Sequence, residues 1–171
     1  MIDNISNELF NLLTIGLPEG IVMALLTVTL LRIKYKWSII VAIGAITATI
    51  VLIFRIQLLI TGIHTAAAII IMALLIAHFF KVPKLASLIA TVVGLLFLNS
   101  FELFGFVVIK YIFEMDIKDL AQNMFYWIIF AWIKIILLCL TALVISRSNW
   151  YLQGRNNSSD KPLIGSQTTQ I

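Results

Sequence analysis

The feature that most constrains this chain is the apolar tract from residue 38 to residue 80. It holds no acid, and Arg55, His64 and His78 are its only ionisable side chains. Drawn as one straight helix at about 1.5 Å per residue, its 43 residues would be about 65 Å long, twice the roughly 30 Å of membrane hydrocarbon. The tract must therefore turn back. Its midpoint falls near Leu59, and Gly62 is the local breaker, with Gln57 and Thr61 the polar residues beside it. A tight turn is expected within 56–62, which makes two helices of one tract.

The rest of the chain follows the same logic. It is 61% hydrophobic and only 12% charged, about half the charged share usual in a soluble domain. A soluble fold of this size could not hide so much apolar surface. Lipid is the expected solvent. Helices are expected over about 11–31, 38–55, 63–80, 85–109 and 124–145. Proline disfavours helix at the residue before it and is well placed to open the next, so Pro83 is expected between the third and fourth helices. The expected fold class is all-α: a polytopic membrane helix bundle of five transmembrane helices within residues 1–150. Residues 151–171 lack periodicity and are expected as a disordered tail. Residues 1–8 are polar and acidic, so no cleavable signal peptide is expected.

Charge sets the orientation. Arg32, Lys34, Lys36, Lys81, Lys84, Arg147, Arg155 and Lys161 fall at one end, with Asp160 the only acid. Arg55, Lys110 and Lys118 fall at the other, among Asp3, Glu8, Glu114, Asp116 and Asp119. The positive-inside rule then predicts an outside N-terminus, a cytoplasmic C-terminus and a multi-pass location in the cell membrane. The formal net charge of +4 is explained by topology, so no nucleic-acid partner is expected. The single cysteine, Cys139, leaves no internal disulfide and no cysteine cluster for zinc. No metal, cofactor or catalytic residue is expected: the chain has no HExxH, no Gly-rich phosphate loop and no paired-carboxylate hydrolase signature.

Three ionisable residues fall inside the crossings: Glu19, Glu102 and Lys134. Each costs a few kcal/mol at the bilayer centre, and such residues usually face the bundle interior and pair. Lys134 lies near the middle of its helix, and its long stem lets it reach either carboxylate. Arg55 and His64 are expected at the adjoining outer rim, and Asn99, one turn from Glu102, is expected to join them. Pro18, next to Glu19, frees a backbone carbonyl in the first helix, so a kink is expected there. Gly44-x-x-x-Ala48, with Ala45 and Thr49, is a small-residue stripe for close helix packing, with a homodimer face as the alternative.

Leu17-Pro18-Glu19, Arg55, Gly62-Ile63-His64-Thr65 and Glu102, in that order, resemble a pattern in bacterial membrane domains. Those are the five-helix regions that precede the kinase parts of GHKL-type sensor histidine kinases. The resemblance covers residues 10–150. It implies a module that passes an extracellular or membrane-borne signal inward, with Pro18, Glu19, Arg55, Gly62, His64 and Glu102 as the matching positions. The 171 residues hold no phosphoacceptor segment and no nucleotide site, so kinase activity is not implied and a separate cytoplasmic or membrane signalling partner is. Two alternatives stand beside a sensory module. One is a small-solute binding subunit or transporter component; the other is a structural assembly partner with no ligand. Internal repeats and broken helices in matching places, usual in transporters, are not visible.

Overall fold

The computed structural model describes residues 9–57, 63–112 and 124–159, with side chains over 9–54, 65–111 and 125–147. Five helices follow in chain order. Helix α1 runs Leu9–Leu30 and contains a π-helical segment, Leu12–Gly16. Then come α2 (Trp37–Gln57), α3 (Ile63–Phe80), α4 (Lys84–Ile112) and α5 (Met124–Ser159). Four of them are long and apolar enough to cross a membrane, over Leu9–Leu30, Trp37–Phe54, Lys84–Tyr111 and Phe125–Arg147; Thr65–Phe80, within α3, is a shorter apolar helix.

Helix α1 is the centre of the bundle. Every residue from Met23 to Thr29 is buried. A stretch buried on every face needs neighbours on all sides, and α2, α4 and α5 all pack on α1, with α3 touching it more lightly. The outer helices contact one another in the order α2, α3, α4, α5. The core gathers Met23, Leu26 and Val28 of α1 with Ile40 and Ile43 of α2, Met72 and Ile76 of α3, Leu98 of α4 and Leu138 of α5. The outward faces are apolar, as at Leu74, Leu88, Phe104 and Ile136. The exposed cations among the described side chains stand at helix ends (Arg32, Lys34, Lys36, Lys81, Lys84 and Lys110) or, for Arg147, at the end of the apolar span of α5.

Two local devices set the helix ends. At Pro18 the chain lacks an N–H, and the ring would clash with the carbonyl four residues back. The preceding turn widens to the π form, in which the Leu17 N–H reaches the Leu12 carbonyl. The expectation at Pro18 is a kink; what the structure shows is this widened turn before it. At the other end of α1, Arg32 sits at φ 56° in the left-handed region. Its N–H donates to the Thr29 carbonyl at 3.0 Å, and the Ile33 N–H donates to Val28 at 3.3 Å. That is a Schellman closure with arginine in the place glycine usually takes. Lys81 repeats the left-handed conformation after α3, at φ 54°. Pro83 follows, and its carbonyl accepts the Ser87 N–H at 3.1 Å, which opens α4.

Three boundaries differ from the sequence expectation. Helix α2 continues through Gln57, so residues 56 and 57, expected in the turn, are helical; residues 58–62, Gly62 among them, lie outside the described residues. Helix α4 is longer at its C-terminal end, to Ile112. Helix α5 does not stop at 145 but extends to Ser159, so 151–159 are helical where a disordered tail was expected. Adding a residue to an existing helix gains one hydrogen bond for one residue fixed, so a polar stretch can follow a stable apolar helix. Residues 160–171 lie outside the described residues.

Candidate functional site

Helix α5 buries one stripe: Phe130, Ala131, Lys134, Ile135, Leu138 and Ala142. The spacing of three and four residues is that of a single helix face. Lys134 is on this stripe, so its side chain enters the bundle together with its apolar neighbours. Helix α4 buries Ser87, Ala90, Thr91 and Leu98, and Glu102 continues the same face one turn further on. Glu19 enters from α1, directly after the π segment and Pro18.

The three side chains meet. Lys134 Nζ lies 3.0 Å from Glu19 Oε2 and 3.7 Å from Glu102 Oε2. The Lys134 side chain is 10% exposed, against 24% for Glu19 and 33% for Glu102. One ammonium is thus shared unequally by two carboxylates. Glu19 holds the shorter contact and the deeper position; Glu102 is the more accessible partner. The attraction is strengthened by the low dielectric around it, and the pairing offsets the cost of taking each charge out of water.

An aromatic pair lies one helical turn from the cluster. Phe106, one turn beyond Glu102, stacks on Phe130, one turn before Lys134, with ring centroids 4.8 Å apart and planes at 21°. The Phe130 ring also lies over Gly105, where a Cβ would collide with it. Trp127 extends the group, 6.2 Å from Phe130. Sequence reasoning missed this group. Its signal was the placement of Phe106 and Phe130 one turn from the two ionisable residues, both toward the same membrane face.

The other expected site residues are Asn99, Arg55 and His64. Asn99 is exposed. Leu98 occupies the buried stripe, and the next residue on a helix is turned by about 100°. The side chains of Arg55 and His64 lie outside the described residues, although their backbones close α2 and open α3. Among the described residues, no group of three or more His, Cys, Asp or Glu could hold a metal ion.

Gly44 and Ala48 of the small-residue stripe are buried within the bundle. A Cβ on Gly44 would stand 2.6 Å from the Ile21 Cα, and one on Gly20 would stand 2.8 Å from the Gly44 carbonyl oxygen. The stripe is where α1 and α2 cross backbone to backbone.

Fold and site define a class: an all-helical protein with helices long and apolar enough to cross a membrane and an ion cluster inside the bundle. Compared with protein-family models, curated proteins and solved structures, the chain matches none.

Proposed function

We propose that this chain is a non-enzymatic, multi-pass membrane module with a sensory or regulatory role, and that the Glu19–Lys134–Glu102 cluster is its responsive element. The observation that carries the reading is one buried ammonium held between carboxylates from two other helices. Ionisable groups inside a membrane bundle are costly, and they usually mark functional positions. Here they tie α1, α4 and α5 together. A ligand or ion that competes for Glu102, the more exposed partner, weakens the tie between α4 and α5 and leaves that between α1 and α5. Such a signal shifts the bundle only by as much as it favours one arrangement over the other.

Helix α5 is suited to pass the change on. Its 36 residues extend for about 54 Å, well beyond one hydrocarbon layer. In the proposed topology all five helices cross, with the N-terminus outside and the C-terminus in the cytoplasm. Helix α3 has 18 residues and spans about 27 Å, short but sufficient. The charge bias between the two ends supports the orientation, and the resemblance to sensor regions of GHKL-type kinases agrees with a signalling partner.

The test has two parts. Single cysteines at positions 116 and 158, in a Cys139→Ser background, are expected to label from opposite sides; labelling of both from one side would end the five-crossing topology. The reconstituted protein is then screened for a rise in melting midpoint with extracellular peptides, small metabolites and cations, because a ligand of the native state raises it. The rise is expected to vanish in Glu102→Gln. No rise with any addition, together with unchanged coupling to a partner kinase in Glu102→Gln and Lys134→Met, would leave the cluster a purely structural network.

A further inference from the structure

A second polar site stands at the other end of the bundle, under the turn that joins α3 to α4. We propose that it binds the phosphate headgroup of an anionic phospholipid. The turn borders an open cleft of about 490 Å³ lined by Leu74, Ala77, His78, Lys81, Val82 and Lys84. Half of that lining is basic or imidazole and half is apolar. A lipid headgroup beneath a membrane surface presents the same two chemistries together.

The cations are set by the backbone. Lys81 is held in the left-handed conformation at φ 54°. Lys84 is the first residue of α4. The first N–H groups of a helix have no partner within it, and the helix dipole places partial positive charge there, so the α4 start adds to the two lysines in attracting an anion. The spacing of α3 and α4 is braced just behind the turn, where the buried Ser87 hydroxyl donates to the Ala73 carbonyl at 2.8 Å. No carboxylate competes: Glu19 and Glu102 are the acids among the described side chains, and both belong to the cluster around Lys134.

The apolar surroundings favour a lipid over a free anion. Leu85, Leu88 and Ile89 on the first turns of α4, and Phe79 at the end of α3, are exposed. They neighbour the lining residues in the chain and leave apolar surface exposed, against which acyl chains would lie. Basic pockets between helices at the cytoplasmic face are a known solution for anionic headgroups, and each lysine near such a surface contributes a comparable attraction.

Native mass spectrometry of the purified full chain tests this, with phosphatidylglycerol, phosphatidylcholine and inorganic phosphate as probes. Phosphatidylglycerol is expected to stay bound where phosphatidylcholine does not, and to resist competition by inorganic phosphate. Lys81→Asn with Lys84→Gln should weaken its binding at least about tenfold, two lysine contributions being lost. Asparagine is chosen because it tolerates the left-handed region. Lys34→Gln with Lys36→Gln removes the same charge from the neighbouring turn and should leave binding within about threefold. Lys81→Arg with Lys84→Arg should retain it, which separates lost charge from lost fold. Equal losses in both glutamine-containing pairs would mean diffuse surface attraction and overturn the site. Displacement by inorganic phosphate would assign the cleft to a soluble anion and overturn the lipid.

Discussion

Lys134 and Glu19 form the short contact of the buried cluster, 3.0 Å between Nζ and Oε2, while Glu102 stands at 3.7 Å from the same nitrogen. Removing Lys134 therefore leaves two carboxylates facing each other inside the bundle. Breaking a buried pair by deleting one partner costs about 3–5 kcal/mol. Lys134→Met is expected to be the most destabilising change in the cluster, Glu19→Gln the next and Glu102→Gln the mildest. Unfolding in detergent, followed by circular dichroism, gives the order. A double-mutant cycle should give Glu19–Lys134 the larger coupling; equal couplings would contradict the unequal geometry.

The crossing of α1 and α2 makes Gly44 sensitive. Its added Cβ would meet the Ile21 backbone at 2.6 Å, and backbone cannot move aside as a side chain can. Gly44→Ala is expected to destabilise by about 1–3 kcal/mol through overpacking. Gly16→Ala is the control, since its Cβ would meet only the Leu12 Cδ1 at 3.4 Å and, more distantly, the Asn11 carbonyl oxygen. It should be near neutral. A shift in unfolding midpoint for Gly16→Ala as large as for Gly44→Ala would remove the steric explanation.

Arg32 occupies a left-handed position at φ 56° that costs an L-residue about 1–2 kcal/mol. Arg32→Gly should recover part of this, about 0.5–1 kcal/mol after the extra freedom of glycine in the unfolded chain is counted. Arg32→Val should lose stability, because a branched side chain fits that region poorly. The pair is read by thermal unfolding, and a Val variant as stable as the Gly variant would contradict the closure.

Two buried hydroxyls should respond with opposite signs. Ser87 donates across helices to Ala73, so Ser87→Ala is expected to cost about 0.6–1.7 kcal/mol, the range for interhelical bonds in lipid. The Thr47 hydroxyl is buried without a hydrogen-bond partner. Thr47→Val keeps the shape and removes the unsatisfied group, and should stabilise by about 1 kcal/mol. Unfolding in a zwitterionic detergent resolves both.

Much of this was legible from length and charge. The 43-residue tract had to fold back, because lipid has a thickness and a helix a fixed rise. The meeting of Lys134 with carboxylates followed from depth along the helices, since each ionisable residue could be placed within a few residues of a helix centre. Depth is one coordinate, however. Which carboxylate lies nearer, and why Asn99 turns outward while Glu102 does not, depends on rotation about the helix axis. The apolar sequence does not mark that rotation, because outward-facing and core-facing residues are both hydrophobic. Lys34 and Lys81 are both bases in short loops of the sequence, and nothing in the sequence marks Lys81 as bordering the cleft between α3 and α4.

By itself, then, the amino-acid order determined that the chain is helical, where its apolar segments lie and which charges are out of place in them. Those follow from local rules of hydrophobic length and propensity. The tertiary structure alone decided that α1 is central, that Gly20 meets Gly44, that Phe106 stacks on Phe130 and that Glu19 takes the shorter half of the shared lysine. Each depends on which helix faces are turned together, and that choice is made by packing between segments distant in the chain.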